Sequence, residues 1–148
     1  MNKRYNILIA DDDDDDKFLV KSALEDCTSN TPVHFVENGV EVLEYLKNEG
    51  QFADKYAFSK PSVIILDLNM PKKDGRETLK EIKENPLFKK IPVIILTTSK
   101  AEEDVNLCYS YGANAYIVKP NSFTELTEIL STMTNFWLNI VTLAPTIG

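Results

Sequence analysis

Six aspartates follow one another from Asp11 to Asp16, directly after the apolar stretch Tyr5 to Ala10. Three later apolar stretches also end in residues able to do chemistry: Asp67 closes one, Thr97 and Thr98 the next, and Lys119, followed by Pro120, the last. Carboxylates brought together repel and raise each other's pKa unless a cation neutralises them. Oxygen-only donors favour a hard ion, Mg2+ before Ca2+, and Mg2+ keeps waters and phosphoryl oxygens among its ligands. A threonine hydroxyl and a lysine ammonium suit the same phosphoryl oxygens. Together these residue types describe phosphoryl transfer, with a carboxylate as nucleophile and with metal and ammonium offsetting the charge that develops. If the stretches ending in Asp11, Asp12 and Asp67 are neighbours, Asp67 lies in the middle of the acidic set and is the acceptor.

The elements that must position these residues alternate along the chain. Strand-like runs read from Tyr5 to Ala10, Pro32 to Glu37 and Ser62 to Asp67, followed by "IPVIILT" and "AYIVK". Val63 to Leu66 and Val93 to Leu96 are continuously apolar, the pattern of parallel strands covered on both faces. Between the strands, Phe18, Leu19, Ser22, Ala23 and Asp26 have helical spacing, as do Val42, Leu43, Tyr45 and Leu46. A third helix reads from Gly75 to Glu84 and a fourth from Glu102 to Tyr111, the latter stopped by Gly112. The last begins near Ser122, which stands three residues before Glu125 in capping-box spacing. The connection Asn48 to Pro61 is long for this architecture and carries Phe52, Tyr56 and Phe58, which implies packing. In such an α/β sheet, ligands bind beyond the carboxyl ends of the strands, where the chemistry-bearing residues fall.

Composition narrows the function classes. The 148 residues suit one domain, with 43% hydrophobic residues available for a core. A net charge of -7 argues against broad binding to nucleic acid or an anionic membrane surface. Cys27 and Cys108 lack metal-type spacing and read as reduced thiols of a cytoplasmic protein. The apolar stretch after Lys3 and Arg4 is too short for a signal peptide, and "FWLNIVTLA" is too short to span a membrane.

The motifs "ILIADD", "VIILDLNMPKKDG", "PVIILTTS" and "AYIVKP", in this order from about Tyr5 to about Leu130, resemble the receiver domain of two-component response regulators. That resemblance implies a flavodoxin-like (βα)5 doubly wound parallel sheet of order 2-1-3-4-5. It also implies Mg2+-dependent phosphotransfer from a sensor histidine kinase to Asp67, within a phosphorelay. Asp12 and Asp67 would bind the metal directly, with the Asn69 carbonyl as a further ligand and Asp11 acting through water. Thr97 and Lys119 would contact the phosphoryl group, Tyr116 would move inward as a switch, and the Lys119–Pro120 peptide would be cis. Asn121 departs from the phenylalanine common after Lys-Pro, and Ser99 occupies a position that tunes dephosphorylation. The tail "TNFWLNIVTLAP", with "DLN", "KKDGRE" and "LTTS", resembles stand-alone regulators that partner phytochrome-type sensor kinases. One receiver domain over 1–148, with an extended C-terminal helix or tail from about 122 and no output domain, is therefore expected.

Simpler roles compete at several positions. Asp13, Asp14, Asp15 and Asp16 suit the positive end of a helix dipole. Thr98 competes with Thr97, because one step along a strand reverses the side chain; the resemblance favours Thr97. His34 reads as a packing residue. In the last helix, Phe123, Leu126, Leu130, Met133 and Trp137 form one stripe and Ile129, Phe136 and Ile140 another, more apolar surface than one core face uses. Phe136, Trp137 and Ile140 are therefore candidates for a homodimer surface. A phosphohydrolase with its nucleophile after the first strand would need Asp-x-Asp followed by Thr or Val, which Asp11 to Asp15 lack. An interaction module indifferent to phosphate has no reason to keep Asp11, Asp12, Asp67, Thr97 and Lys119 together.

Overall fold

A computed structural model describes residues 5–27 and 31–145. The side chain of Cys27 lies outside the described residues, as do Lys3 and Arg4, so the thiol expectation is met only at Cys108, which is free and buried. Among the described residues five parallel strands form one sheet in the order β2-β1-β3-β4-β5: β1 (Ile7–Ala10), β2 (Val33–Val36), β3 (Val63–Leu66), β4 (Val93–Thr97) and β5 (Ala115–Val118). The helices between them are α1 (Asp14–Cys27), α2 (Gly39–Lys47), α3 (Gly75–Glu84), α4 (Glu102–Ser110) and α5 (Phe123–Asn135). This is the flavodoxin-like (βα)5 arrangement.

The period-2 alternation of strand side chains divides the interior into two cores. Leu8, Ala10, Ile64, Leu66 and Ile95 point to one face and pack with Val42, Leu46, Leu79 and Ile82 of α2 and α3. Ile7, Ile9, Ile65, Ile94 and Leu96 point to the other and pack with Val20, Leu24, Leu126 and Leu130 of α1 and α5. Both faces of the central strands are therefore buried, which is why their sequences run apolar without alternation. Helix starts are capped locally: Asn38, Asp74 and Ser122 accept from the backbone N–H three residues on.

The long connection after α2 is packed as expected, with Phe52 and Phe58 joining Tyr45 and His34 in an aromatic cluster with ring centroids 5.2–5.7 Å apart. Burial pushes His34 below its usual pKa and keeps it in its neutral, packing form. Tyr56, by contrast, is 87% exposed. It sits in a tight turn whose Asp54 side chain accepts its N–H at 2.9 Å.

The apolar stripe expected along the last helix changes course. α5 ends in a π turn, Phe136–Ile140, and its wider i→i+5 winding adds one residue to the turn. Leu138 consequently follows Leu126, Leu130 and Met133 into the core, where uninterrupted α periodicity would have placed Trp137. No helix among the described residues is long and apolar enough to cross a membrane.

The start of α3 is pressed against the segment that carries Asp67. The Gly75 N–H donates to the Leu68 carbonyl at 2.9 Å, and a Cβ at Gly75 would collide with the Asp67 carbonyl oxygen and stand 2.7 Å from Leu68 Cα. Gly75→Ala should therefore lower stability by about 1–3 kcal/mol, the usual cost of overpacking. Urea denaturation measures it, and an unchanged midpoint would show that the loop yields freely.

Candidate functional site

At the carboxyl ends of β1, β3 and β5 the structure gathers one ammonium and three carboxylates. Lys119 Nζ donates to Asp11 Oδ2 at 2.8 Å, to Asp16 Oδ2 at 2.8 Å and to Asp67 Oδ2 at 3.0 Å. Asp11 extends β1, its N–H donating to the Val36 carbonyl at 3.0 Å, and Asp67 follows β3, its N–H donating to the Ala10 carbonyl at 3.0 Å. The Lys119 N–H donates to the Thr97 carbonyl at 2.7 Å, so Lys119 stands beside the end of β4. Asp11 and Asp67 are buried and Lys119 nearly so.

Burial raises the Asp11 carboxyl above its ordinary pKa, with the charge of Asp67 adding to the effect and the bonds from Lys119 and the Asp13 N–H opposing it. Burial likewise works against the Lys119 charge, but the bonds to Asp11 and Asp16 and the charges of Asp67 and Asp11 outweigh it and hold the ammonium protonated. One positive charge among three negative ones leaves the cluster anionic.

The acidic run divides differently from the expectation. Asp13 caps α1, its Oδ1 accepting the Asp16 N–H at 3.0 Å, and Asp14 and Asp15 are solvated acids of the first turn. Asp16 is not merely one of them: the first turn of α1 brings it back over the strand ends to Lys119. Its carboxylate, with those of Asp11 and Asp67, forms a set in which one oxygen from each lies within 4.8 Å of the other two. Asp12 is exposed and outside that set. Sequence reasoning missed Asp16, although its place five residues after Asp11 in a helical first turn is the available signal.

All donors here are carboxylate oxygens, the chemistry that Mg2+ takes up. Asn69 stands two residues after Asp67 and its N–H donates to Asp67 Oδ1 at 3.4 Å. Thr97 is fully buried while Thr98 is exposed, as strand alternation requires. Tyr116 turns its hydroxyl to the Ser99 carbonyl at 2.9 Å, and burial raises its phenol pKa. Phe136, Trp137 and Ile140 stand apart from this cluster on the π turn, with Phe136 47% and Ile140 64% exposed and Trp137 partly covered.

One expectation is corrected. Among the described residues no peptide bond is cis, so Lys119–Pro120 is trans. The trans form before proline is favoured by about 0.5–1 kcal/mol, and with it Lys119 already reaches both the Thr97 carbonyl and the acid cluster.

Lys119→Met tests the electrostatics. It leaves three carboxylates without their cation, so stability measured in a chelator should fall, towards the lower end of the roughly 3–5 kcal/mol seen when a buried pair loses one partner. Added Mg2+ should raise the melting temperature of the variant more than that of the parent, because it no longer competes with the ammonium. Equal increments would contradict this account.

A family model described as the response regulator receiver domain matches residues 7–131. The chain is 38% identical over 137 residues to response regulator Rcp1 of Synechocystis sp., covering 93% of this chain and 91% of that protein. It is also similar to the crystal structure of the phosphorylated cyanobacterial phytochrome response regulator RcpA, with TM-score 0.89 and 39% identity over 97% of this chain and 100% of that one. The Mn2+-bound form of response regulator Rcp1 gives TM-score 0.85 and 37% identity over 95% of this chain and 99% of that one.

Proposed function

Because the chain belongs to the response regulator receiver domain family, we propose that it is a phosphorylation-controlled signalling protein whose Asp67 accepts a phosphoryl group from a histidine of a sensor kinase. The observation that carries this reading is the Lys119 ammonium bridging Asp11, Asp16 and Asp67 at the strand ends. It places a cation at the acceptor carboxylate, where the incoming phosphoryl oxygens would lie.

In the transfer, an Asp67 carboxylate oxygen forms a bond to phosphorus as the phosphorus–nitrogen bond of the phosphohistidine breaks, and the bonding pair returns to the imidazole. Negative charge gathers on the phosphoryl oxygens, and Lys119 and the Thr97 hydroxyl donate to them. Asp12 and Asp67, the Asn69 carbonyl and, through water, Asp11 would hold Mg2+. That ion, when bound, neutralises the crowded carboxylates and the phosphoryl oxygens together. Asp16 stays with Lys119 and keeps its ammonium at the mouth of the site. The same groups serve a second, separate step, in which water attacks the phosphorus, the bond to the Asp67 oxygen breaks, and the carboxylate and inorganic phosphate are released, so the only chemistry is the protein's own phosphorylation and dephosphorylation.

Readout then proceeds through the β4–α4 loop and Tyr116 to a protein partner. The similarity to a phytochrome response regulator supports a phytochrome-type kinase as the donor; the cytoplasm is the compartment proposed for the exchange, in keeping with Cys108 as a free thiol. A single receiver domain over 1–148 accounts for the described structure, and the exposed Phe136 and Ile140, with Trp137 beside them, offer an apolar surface to a second copy.

Radiolabelled phosphoryl transfer tests the chemistry: the parent should be labelled in Mg2+ and not in chelator, and Asp67→Asn should take no label. Label persisting in Asp67→Asn would move the acceptor elsewhere. Separately, Phe136→Ser combined with Ile140→Ser should raise the dimer dissociation constant, read by light-scattering chromatography over a dilution series, by about 100-fold or more, while labelling stays at the parental level. Each copy loses two apolar anchors, so a symmetric dimer loses four at roughly 1 kcal/mol each.

A further inference from the structure

An ion pair outside the acid cluster reaches the same loop. Arg76, in the first turn of α3, grips Asp104 of α4 in bidentate fashion, Nε to Oδ1 at 2.8 Å and a terminal nitrogen to Oδ2 at 2.9 Å. Both side chains are largely covered, at 26% and 18% exposure. Asp104 Oδ2 also accepts the Ser99 hydroxyl at 2.6 Å. These bonds from Arg76 and then Ser99 hold the Asp104 carboxyl below its ordinary pKa, so it is ionised at neutral pH.

Ser99 is the point where everything in the β4–α4 loop meets. Its hydroxyl goes to Asp104, its carbonyl accepts the Tyr116 hydroxyl at 2.9 Å, and its N–H leans on Thr97 Oγ1 at 3.5 Å. Its hydroxyl oxygen also accepts the Ala101 N–H at 3.3 Å. Arg76 belongs to the helix that begins directly after the Asp67 segment. A chain of contacts thus runs from the acceptor's own loop, through Arg76 and Asp104, to the residue that neighbours the Thr97 hydroxyl and seats Tyr116. Fork-shaped guanidinium–carboxylate bonding fixes direction as well as distance, so it can hold a loop in one pose.

We propose that Arg76 and Asp104 are positioning residues: their ion pair clamps Ser99 and so holds Thr97 and Tyr116 in the arrangement that receives a phosphoryl group on Asp67. This deepens the function proposed above and rests on it. The clamp places the loop before the phosphoryl group arrives; without it, the ordering of residues 97–101 is charged against binding, and affinity falls. The hydrogen bonds and ion pairs of Arg76 and Asp104 run to each other, to Asp74 and to Ser99 and not to Asp11, Asp16, Asp67 or Lys119, so affinity for Mg2+ alone should be untouched.

The test is calorimetric titration of the full chain with beryllofluoride, a phosphoryl mimic, at saturating Mg2+, alongside titration with Mg2+ alone. Arg76→Ala, Asp104→Ala and the double variant should each lose about five-fold or more in beryllofluoride affinity. The double should lose no more than the worse single, as coupled residues do, and Mg2+ affinity should stay within about two-fold. Ser99→Ala, which removes one hydroxyl and keeps the ion pair, should show the same selective loss and stands in if an ion-pair variant does not fold. Unchanged beryllofluoride affinity, additive losses in the double variant, or a parallel fall in Mg2+ affinity would overturn the proposal. Failure of the underlying reading looks different: the parent itself would not bind beryllofluoride, or Asp67→Asn would bind it equally.

Discussion

The Lys119 ammonium among its carboxylates is the constraint around which the rest is arranged. It has three N–H donors, and each is used on a different carboxylate, on β1's end, on α1 and on β3's end. Those partners are separated from Lys119 by 108, 103 and 52 positions in the chain, so the cluster exists only when the sheet is complete and its order is right. The same bonds that tie the fold together leave the strand ends anionic. Charges this covered are stable only with partners, and a site with more carboxylates than cations is prepared for a further cation and for a group that shares it. Structural cross-linking and chemistry are here one arrangement.

Holding the acids at these distances requires rigidity on both sides of the sheet. Continuous apolar strands give it, because each of β1, β3 and β4 is gripped by helices above and below. The approach of Gly75 to the Asp67 carbonyl closes the acceptor's own loop, and Asp74 caps α3 immediately before it. By contrast the segment after β4 has no such packing. It depends on polar tethers converging on Ser99, bonds that can exchange partners without disturbing a core. Asp67 is thus set by packing and the loop after β4 by hydrogen bonds.

How much of this was legible in the sequence follows from the range of the interactions. Apolar runs, caps and helix stops are local, and they gave the number and order of elements and the α3 boundaries Gly75–Glu84. The strand-end position of Asp11, Asp67, Thr97 and Lys119 is also local, and their assembly followed from motifs that resembled a family with a known strand order. Asp16 was hidden because its partner is 103 positions away and its local role, an acid in a first helical turn, was already satisfying. Arg76 and Asp104 were hidden for the same reason, 28 positions apart on two helices whose contact no periodicity announces. The cis expectation at Pro120 came from resemblance and had no support in the residues themselves.

The end of α5 shows what a change of winding does to such reasoning. Projecting one helical period across the tail assigns Trp137 to the core stripe, since it stands four residues after Met133. The π turn inserts one residue's worth of chain, and Leu138 takes the place instead. Trp137 then lies along the margin of the core against the Phe136 ring, at 5.4 Å, and Ile140 faces outward. The shift displaces Trp137 alone, trading a large aromatic for a smaller side chain in the core, while Phe136 and Ile140, on the second stripe, are exposed. The outer apolar surface of the tail is therefore that second stripe joined to the margin of Trp137, and burying the Phe136 ring against another molecule would release more water than burying a leucine.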